Sequence, residues 1–212
     1  GLAIEAWARV EPSLSDDTDA MLAKVSTALA SRGEGERLDP FVRLYIQGQR
    51  GNAAPRLLPI GEAYRKVGRA AEAIRWLERA DRETPSEEAA LALMRVRLDL
   101  DEREAALAAA ERAVSRRMVT APPARTGTGI LQILEPLANE LTSLGGPALA
   151  RDLMLRVMRS QGRSGGVRLV AARAMLMDND FGGAMEMLSG PFEPWRQSAE
   201  LDDDVEHIEV AL

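Results

Sequence analysis

The stretch GEAYRKVGRAAEAIRWLERADRETP occupies residues 61–85. Extended slightly upstream, it places Leu57, Ile60, Gly61 and Tyr64 at i, i+3, i+4 and i+7, one face of a helix. Gly68 then breaks that helix, as glycine commonly does at a helix C-terminus. A second helix carries Ala73, Leu77 and Ala80 at the same kind of spacing, and Pro85 stops it. Small residues at Gly61, Ala73 and Ala80 let two helices approach closely, while Leu57, Ile60, Tyr64 and Leu77 fill the space between them. The stretch reads as a helical hairpin built to pack, and no ligand is needed to explain it.

The same phase returns downstream. EEAALALMRVRLDLDEREAALAAAERAV places Ala106, Ala110 and Ala113 where Ala73, Leu77 and Ala80 stood, 33 residues on (106 − 73). Its first half alternates at residues 95–101 and lacks the expected Gly and Tyr, but Leu91, Met94 and Leu98 form a helical stripe, so it is assigned as helix. RRMVTAPPARTGTG, residues 116–129, has no apolar period and reads as a linker or long loop. Beyond it, Leu134, Leu137, Ala138 and Leu141 form a first stripe, Gly145-Gly146 a turn, and Ala150, Met154 and Val157 a second stripe. A fourth unit sets Ala172, Met175, Asn179, Ala184 and Leu188 in register, Ala184 lying 34 residues after Ala150 (184 − 150). Upstream, residues 15–31 read as an amphipathic helix with Ser15, Asp16 and Asp17 at its N-terminus, and a short helix starts at Asp39-Pro40 and ends near Gly51-Asn52.

This pattern resembles the tetratricopeptide repeat: a large apolar residue, Leu-Gly, Tyr, Ala, a large residue, Ala and a terminal Pro. Those places hold Leu57, Ile60-Gly61, Tyr64, Ala73, Leu77, Ala80 and Pro85, with Leu57, Ile60 and Leu77 standing for the usual Trp, Leu and Phe. The resemblance covers roughly residues 54–190. It divides the chain into an N-terminal hairpin or cap (1–53), two repeats (54–115), a linker (116–129), two further repeats (130–190) and a C-terminal cap with an acidic tail (191–212). It implies an all-α, right-handed solenoid of stacked antiparallel hairpins, because one hairpin cannot bury its apolar face alone.

Composition agrees with helices. Of 212 residues, 46% are hydrophobic and only 4% aromatic, and no β-branched run of strand length stands out. Net charge is −6, which does not favour nucleic acid or an anionic membrane. Lysine occurs only at Lys24 and Lys66; the arginine-rich balance is read as genomic and bacterial. No apolar run approaches the ~20 residues that cross a bilayer, and the N-terminus lacks a signal-peptide pattern. The chain opens on Gly rather than Met, read as a mature form or an excised fragment, and the compartment is left open.

No residue constellation announces chemistry. Cysteine is absent, which excludes thiol catalysis, disulfides and thiolate metal sites. His207 is the one histidine and has no nucleophile motif beside it, so neither a hydrolytic triad nor a zinc or copper site is expected. RTGTGIL (125–131) lacks the Gly-Lys-Ser/Thr ending of a P-loop and follows no strand, so it is read as a connector. Carboxylate pairs such as Glu87-Glu88 read as solvated faces. Met154, Met158, Met175, Met177, Met185 and Met187 recur at helical spacing and read as core filler, with an adaptable contact surface as the alternative. Trp76 is expected to pack on the adjacent hairpin, and Trp195 to cover the open end of the solenoid.

The expected function is therefore non-catalytic, needing no cofactor and no metal. The resemblance implies a concave groove, lined by first helices, that receives a peptide or partner protein. Its positions hold Leu58, Glu62, Arg65 and Lys66 in the best repeat, and Leu91, Arg95, Asn139, Thr142, Leu169 and Arg173 in the others, a mildly basic sum. Leu58 and Glu62 stand where a Lys and an Asn clamp a chaperone's terminal carboxylate in one subgroup, so that ligand is not expected. An acidic segment, from a partner or from the chain's own residues 199–212, is the suggested occupant of Arg65, Lys66, Arg95 and Arg173. By family-level analogy the setting is bacterial envelope assembly: polysaccharide export, pilus or secretion. The alternatives are a regulatory or accessory domain of a larger enzyme or exporter and, less favoured, a nucleic-acid-binding repeat. A homo-oligomer is left open.

Overall fold

A computed structural model describes residues 15–48, 56–120, 127–161 and 165–189. Among them are ten α-helices, one 3-10 turn and no strand, so the all-α expectation holds. The chain divides into two compact units, Gly1–Glu102 and Arg103–Leu212.

In the first unit α1 (Ser15–Arg32) is followed by the 3-10 turn Gly35–Arg37 and α2 (Leu38–Gly48). Next come α3 (Leu57–Lys66), α4 (Ala70–Glu83) and α5 (Glu87–Asp99). α3 and α4 form a hairpin, and both of its helices pack on α5; α1 packs on α2 and α3. The opening stretch behaves as its spacing predicts. Leu57, Ile60, Gly61, Tyr64, Ala73, Leu77 and Ala80 are all buried. A Cβ added at Gly61 would lie 2.5 Å from Leu77 Cγ, so glycine is what lets α3 and α4 close. Trp76 packs on the cluster of Leu57, Ala80 and Ala89, the last on α5, so it does reach the adjacent element. In α5 the expected Leu91–Met94–Leu98 stripe is displaced: Ala89, Ala90, Leu93, Met94 and Val96 are buried, while Leu91 and Leu98 are half-buried. Alanines, invisible to a search for large side chains, carry this contact. The helix starts on Ser86, whose Oγ accepts from the Ala89 N–H at 3.1 Å.

The second unit holds α6 (Arg103–Thr120), α7 (Gly127–Gly145), α8 (Pro147–Gln161), α9 (Gly165–Met177) and α10 (Phe181–Ser189). α7 and α8 form one hairpin and α9 and α10 another. Both α7 and α8 pack on α9, repeating the arrangement of α3, α4 and α5, while α6 packs on α7 and α8. Leu134, Leu141, Ala150, Met154, Val157, Ala172 and Ala184 are fully buried, as their register requires. Of the stretch 116–129 expected as a linker, residues 116–120 lie in α6 and 127–129 in α7, and residues 121–126 lie outside the described residues. Gly127 and Gly129 weaken a helix by only about 1 kcal/mol each, which does not stop it. The Pro122-Pro123 pair is the stronger breaker, and it lies outside the described residues.

The hairpin turns recur with the repeat. Gly68 (φ +79°) ends α3 with paired bonds, its N–H donating to the Arg65 carbonyl and the Arg69 N–H to that of Tyr64. Asp101 (φ 59°) and Asn179 (φ 60°) close α5 and α9 with the same two bonds. Gly68 and Asp101 are 33 residues apart, as are Gly146 (φ 83°) and Asn179. Two of these four left-handed positions are thus held by Asp and Asn, which tolerate that conformation better than other side chains.

Candidate partner-binding face

The sequence-predicted residues of the first unit lie on α3 and α5. Glu62 and Arg65 are one turn apart, 3.6 Å between Arg65 Nη1 and Glu62 Oε2. Arg65 Nε also donates to Asp99 Oδ2 at 3.0 Å, which ties α3 to α5. On the other flank, Arg56 Nη1 donates to Asp19 Oδ2 of α1 at 2.8 Å, and Tyr45 donates its hydroxyl proton to the other oxygen of that carboxylate. Between α1 and α3 lies a pocket of about 240 Å³ lined by Asp19, Ala23, Ser26, Pro59, Glu62, Ala63, Arg65 and Lys66. Small residues at Ala23, Ser26 and Ala63 leave that space, and charged groups rim it.

Lys66 is exposed and makes no ion pair among the described residues. Leu58 is half-buried against the Leu57–Ala80–Ala89 cluster, so its side chain is engaged in packing. Leu91 and Arg95 are half-buried on α5. In the second unit Asn139 is exposed on α7, and Thr142 Oγ1 donates to the Ala138 carbonyl at 2.8 Å. Leu169 is half-buried on α9, and Arg173 forms an ion pair with Glu135 of α7. Two of the arginines expected on the basic groove positions have acids beside them. In the first unit Arg65 lies between Glu62 and Asp99, and in the second Arg173 meets Glu135, so each of these two arginines already has an acidic partner. Asp99 and Glu135 reach these arginines from neighbouring helices, a pairing that spacing along one helix does not encode.

A second polar cluster fixes where α3 sits. The Tyr64 hydroxyl donates to Asp39 Oδ1 at 2.8 Å, and Arg69 Nη1 donates to the same oxygen at 2.6 Å. Arg69 also grips Glu72, and its guanidinium carbon lies 5.0 Å from the Tyr64 ring centroid. Burial pushes the Tyr64 phenol up to about 12, and the Asp39 carboxylate beside it adds to the shift. Burial alone would raise Asp39, but hydrogen bonds from Tyr64 and Arg69 outweigh it and hold the carboxyl below its ordinary 3.8. The bond from Arg69 holds Glu72 below its ordinary 4.5.

The signs give two pH limits. Both carboxylates contribute stability above their ordinary values, lost as pH falls through the lowered ones. Tyr64 contributes fully below its ordinary 10 and loses that contribution as pH rises through about 12. In the difference titration of wild type against Tyr64→Phe, the missing phenolate absorbance should therefore appear near pH 12. Its appearance near 10 would contradict the bond to Asp39.

Among the described residues no group of three or more His, Cys, Asp or Glu could hold a metal ion, and no helix is long and apolar enough to cross a membrane. His207, Trp195 and the acidic residues 199–212 lie outside the described residues, as do Arg125 and Thr126 of the glycine-bearing connector.

Fold and face together define an all-α protein of helix hairpins packed in adjacent pairs. No protein-family model matches the chain, and no curated protein matches it. A solved structure of a kinesin light chain with nearly identical TPR-like repeats, from Podosopora anserina, is similar at a TM-score of 0.47 and 16% identity. The match covers 85% of this chain and 93% of that one.

Proposed function

We propose that the chain is a non-catalytic interaction scaffold that receives a peptide or an extended partner segment on the exposed face of α1, α3 and α5. The observation that carries this reading is the cross-helix row Arg56–Asp19 and Glu62–Arg65–Asp99 around the α1/α3 pocket. Exposed ion pairs contribute little to folding, commonly under about 1 kcal/mol. They are well suited to exchange: a carboxylate on the partner replaces Asp99 or Glu62 on Arg65 and gains Lys66, and a partner cation takes the released acid. An acidic residue flanked by a basic one is the segment this pattern fits. A bacterial envelope complex is the setting we favour, on the arginine-rich composition.

A peptide library displayed against the intact chain tests the reading. Selected peptides should bind Arg65→Glu/Lys66→Glu at least tenfold more weakly, with Arg79→Glu on the outer side of α4 unchanged. Equal binding by the double variant would remove this face from the account.

A further inference from the structure

α6 and α8 carry the same phase of the repeat: Ala106 and Ala150 hold the place that Ala73 holds in α4, and all three are fully buried. Both are therefore second helices by repeat phase, whereas the family resemblance puts the partner groove on first helices. Where α6 packs on α8 they enclose a groove of about 500 Å³, roughly twice the α1/α3 pocket. Cavities of about 300–1,000 Å³ are of a size to take a ligand.

Leu107 of α6 and Leu155 of α8 give the groove its apolar part. Leu107 is buried, and Leu155 is half-buried and packs from behind on Ala172, Met175 and Ala184. The walls differ in sign. α6 contributes Glu104 and Glu111, two turns apart, and α8 contributes Arg156 and Arg159, one turn apart, with Asp152 a turn before Arg156. Ion pairs cross the groove at one end: Arg156 meets Glu104, and Arg103 Nη2 lies 3.7 Å from Asp152 Oδ2. Further along both helices stand Glu111, half-buried, and Arg159, exposed. Neither makes an ion pair among the described residues, so one acid and one base face the groove unanswered.

This lining does not suit a ligand of one sign. Three acids beside the two arginines repel a polyanion such as nucleic acid. Among the described residues no group of acids could hold a metal ion. Charge complementarity asks for both signs at once, with an apolar body between them. Packed helix axes lie about 8–10 Å apart, and the first and last residues of an extended tetrapeptide are about 10 Å apart. Four residues thus span the two walls.

We propose that the α6/α8 groove docks a short partner segment whose apolar residues lie between one basic and one acidic residue. The apolar side chains rest on Leu107 and Leu155, the basic one meets Glu111 and the acidic one meets Arg159. All these residues belong to the second unit, so the site is separate from the face of α1, α3 and α5.

Capped tetrapeptides titrated into the isotope-labelled full chain test the groove. The probes are acetylated, amidated Lys-Leu-Phe-Glu and Glu-Leu-Phe-Lys, with Lys-Leu-Phe-Lys and Glu-Leu-Phe-Glu as single-sign controls. A peptide of mixed sign should shift the amides of Leu107, Glu111, Leu155 and Arg159 and bind about fivefold more tightly than either control. Glu111→Arg and Arg159→Glu should each remove that preference. The double variant Glu111→Arg/Arg159→Glu should recover it, because the peptide then docks with its ends exchanged. The amide of buried Met154 reports that each variant is folded. Equal binding of the single-sign controls, single variants that bind as wild type, or a double variant that stays weak would each overturn the proposal. So would peptide shifts confined to α1 and α3, or shifts of the groove amides that grow with the concentration of the free chain, the mark of a second copy in the groove.

Discussion

Gly61→Val is expected to lower stability by about 3 kcal/mol, the high end for overpacking a core. The added Cβ would lie 2.5 Å from both Cγ and Cδ2 of Leu77 and 3.3 Å from its backbone nitrogen. Leu77 is fully buried, so it has no exposed rotamer into which to retreat. Leu77→Ala alone should cost about 3 kcal/mol through lost burial and the cavity left behind. Because the two residues touch, the effects should not add: Gly61→Val fills the space that Leu77→Ala opens, and the double variant should lose at least 1 kcal/mol less than the sum. Urea unfolding followed by Trp76, which packs on the same hairpin, provides the measurement. Strict additivity would mean that the contact between α3 and α4 is not what the glycine serves.

Arg168→Met should destabilise the α9–α10 hairpin by about 2 kcal/mol, the scale of hydrogen bonds from a charged donor. Arg168 is only 8% exposed, and its Nε and Nη2 both donate to the Met187 carbonyl, the Nε bond at 2.9 Å. That carbonyl lies in the last turn of α10, where helical acceptors run out and a cation is favoured. The repeat phase explains why the site is unusual. Leu57 stands 16 residues before Ala73 (73 − 57) and Leu134 16 before Ala150 (150 − 134). Arg168 stands 16 before Ala184 (184 − 168), so an arginine fills the large apolar place of the last hairpin. Amide hydrogen exchange should speed up roughly 30-fold in α10 while α3 and α4 keep their protection. Unchanged exchange in α10 would show that the bonds to Met187 do not hold it.

These two sites also mark how far the sequence could be read. Gly61, Tyr64, Ala73, Leu77 and Ala80 were legible because a period of 3.6 residues and a repeat of about 33 point to the same residues. α5 was harder, since Ala89 and Ala90 make contacts that large-residue periodicity does not weigh. The turn at Asp101 was missed because its signal is backbone conformation, and aspartate is a common residue in many other places. Arg168 was invisible for a different reason: its partner is a backbone carbonyl 19 residues away, which no side-chain pattern encodes. The same limit shaped the reading of the face. The sequence places Glu62, Arg65 and Lys66 on one helix, but the pairing of Arg65 with Asp99 depends on how α3 and α5 pack, and it gives Arg65 an acidic partner from a neighbouring helix.

The scaffold reading rests on one face of the first unit, and chemical-shift mapping tests it most directly. A peptide selected against the intact chain should be titrated into the isotope-labelled protein. The account predicts that the largest amide shifts fall on Ala23, Ser26, Glu62, Arg65, Lys66 and Asp99, around the α1/α3 pocket and its bridge to α5. Shifts concentrated instead on Arg75, Arg79 and Arg82 of α4, with the Glu62–Lys66 turn unmoved, would contradict it.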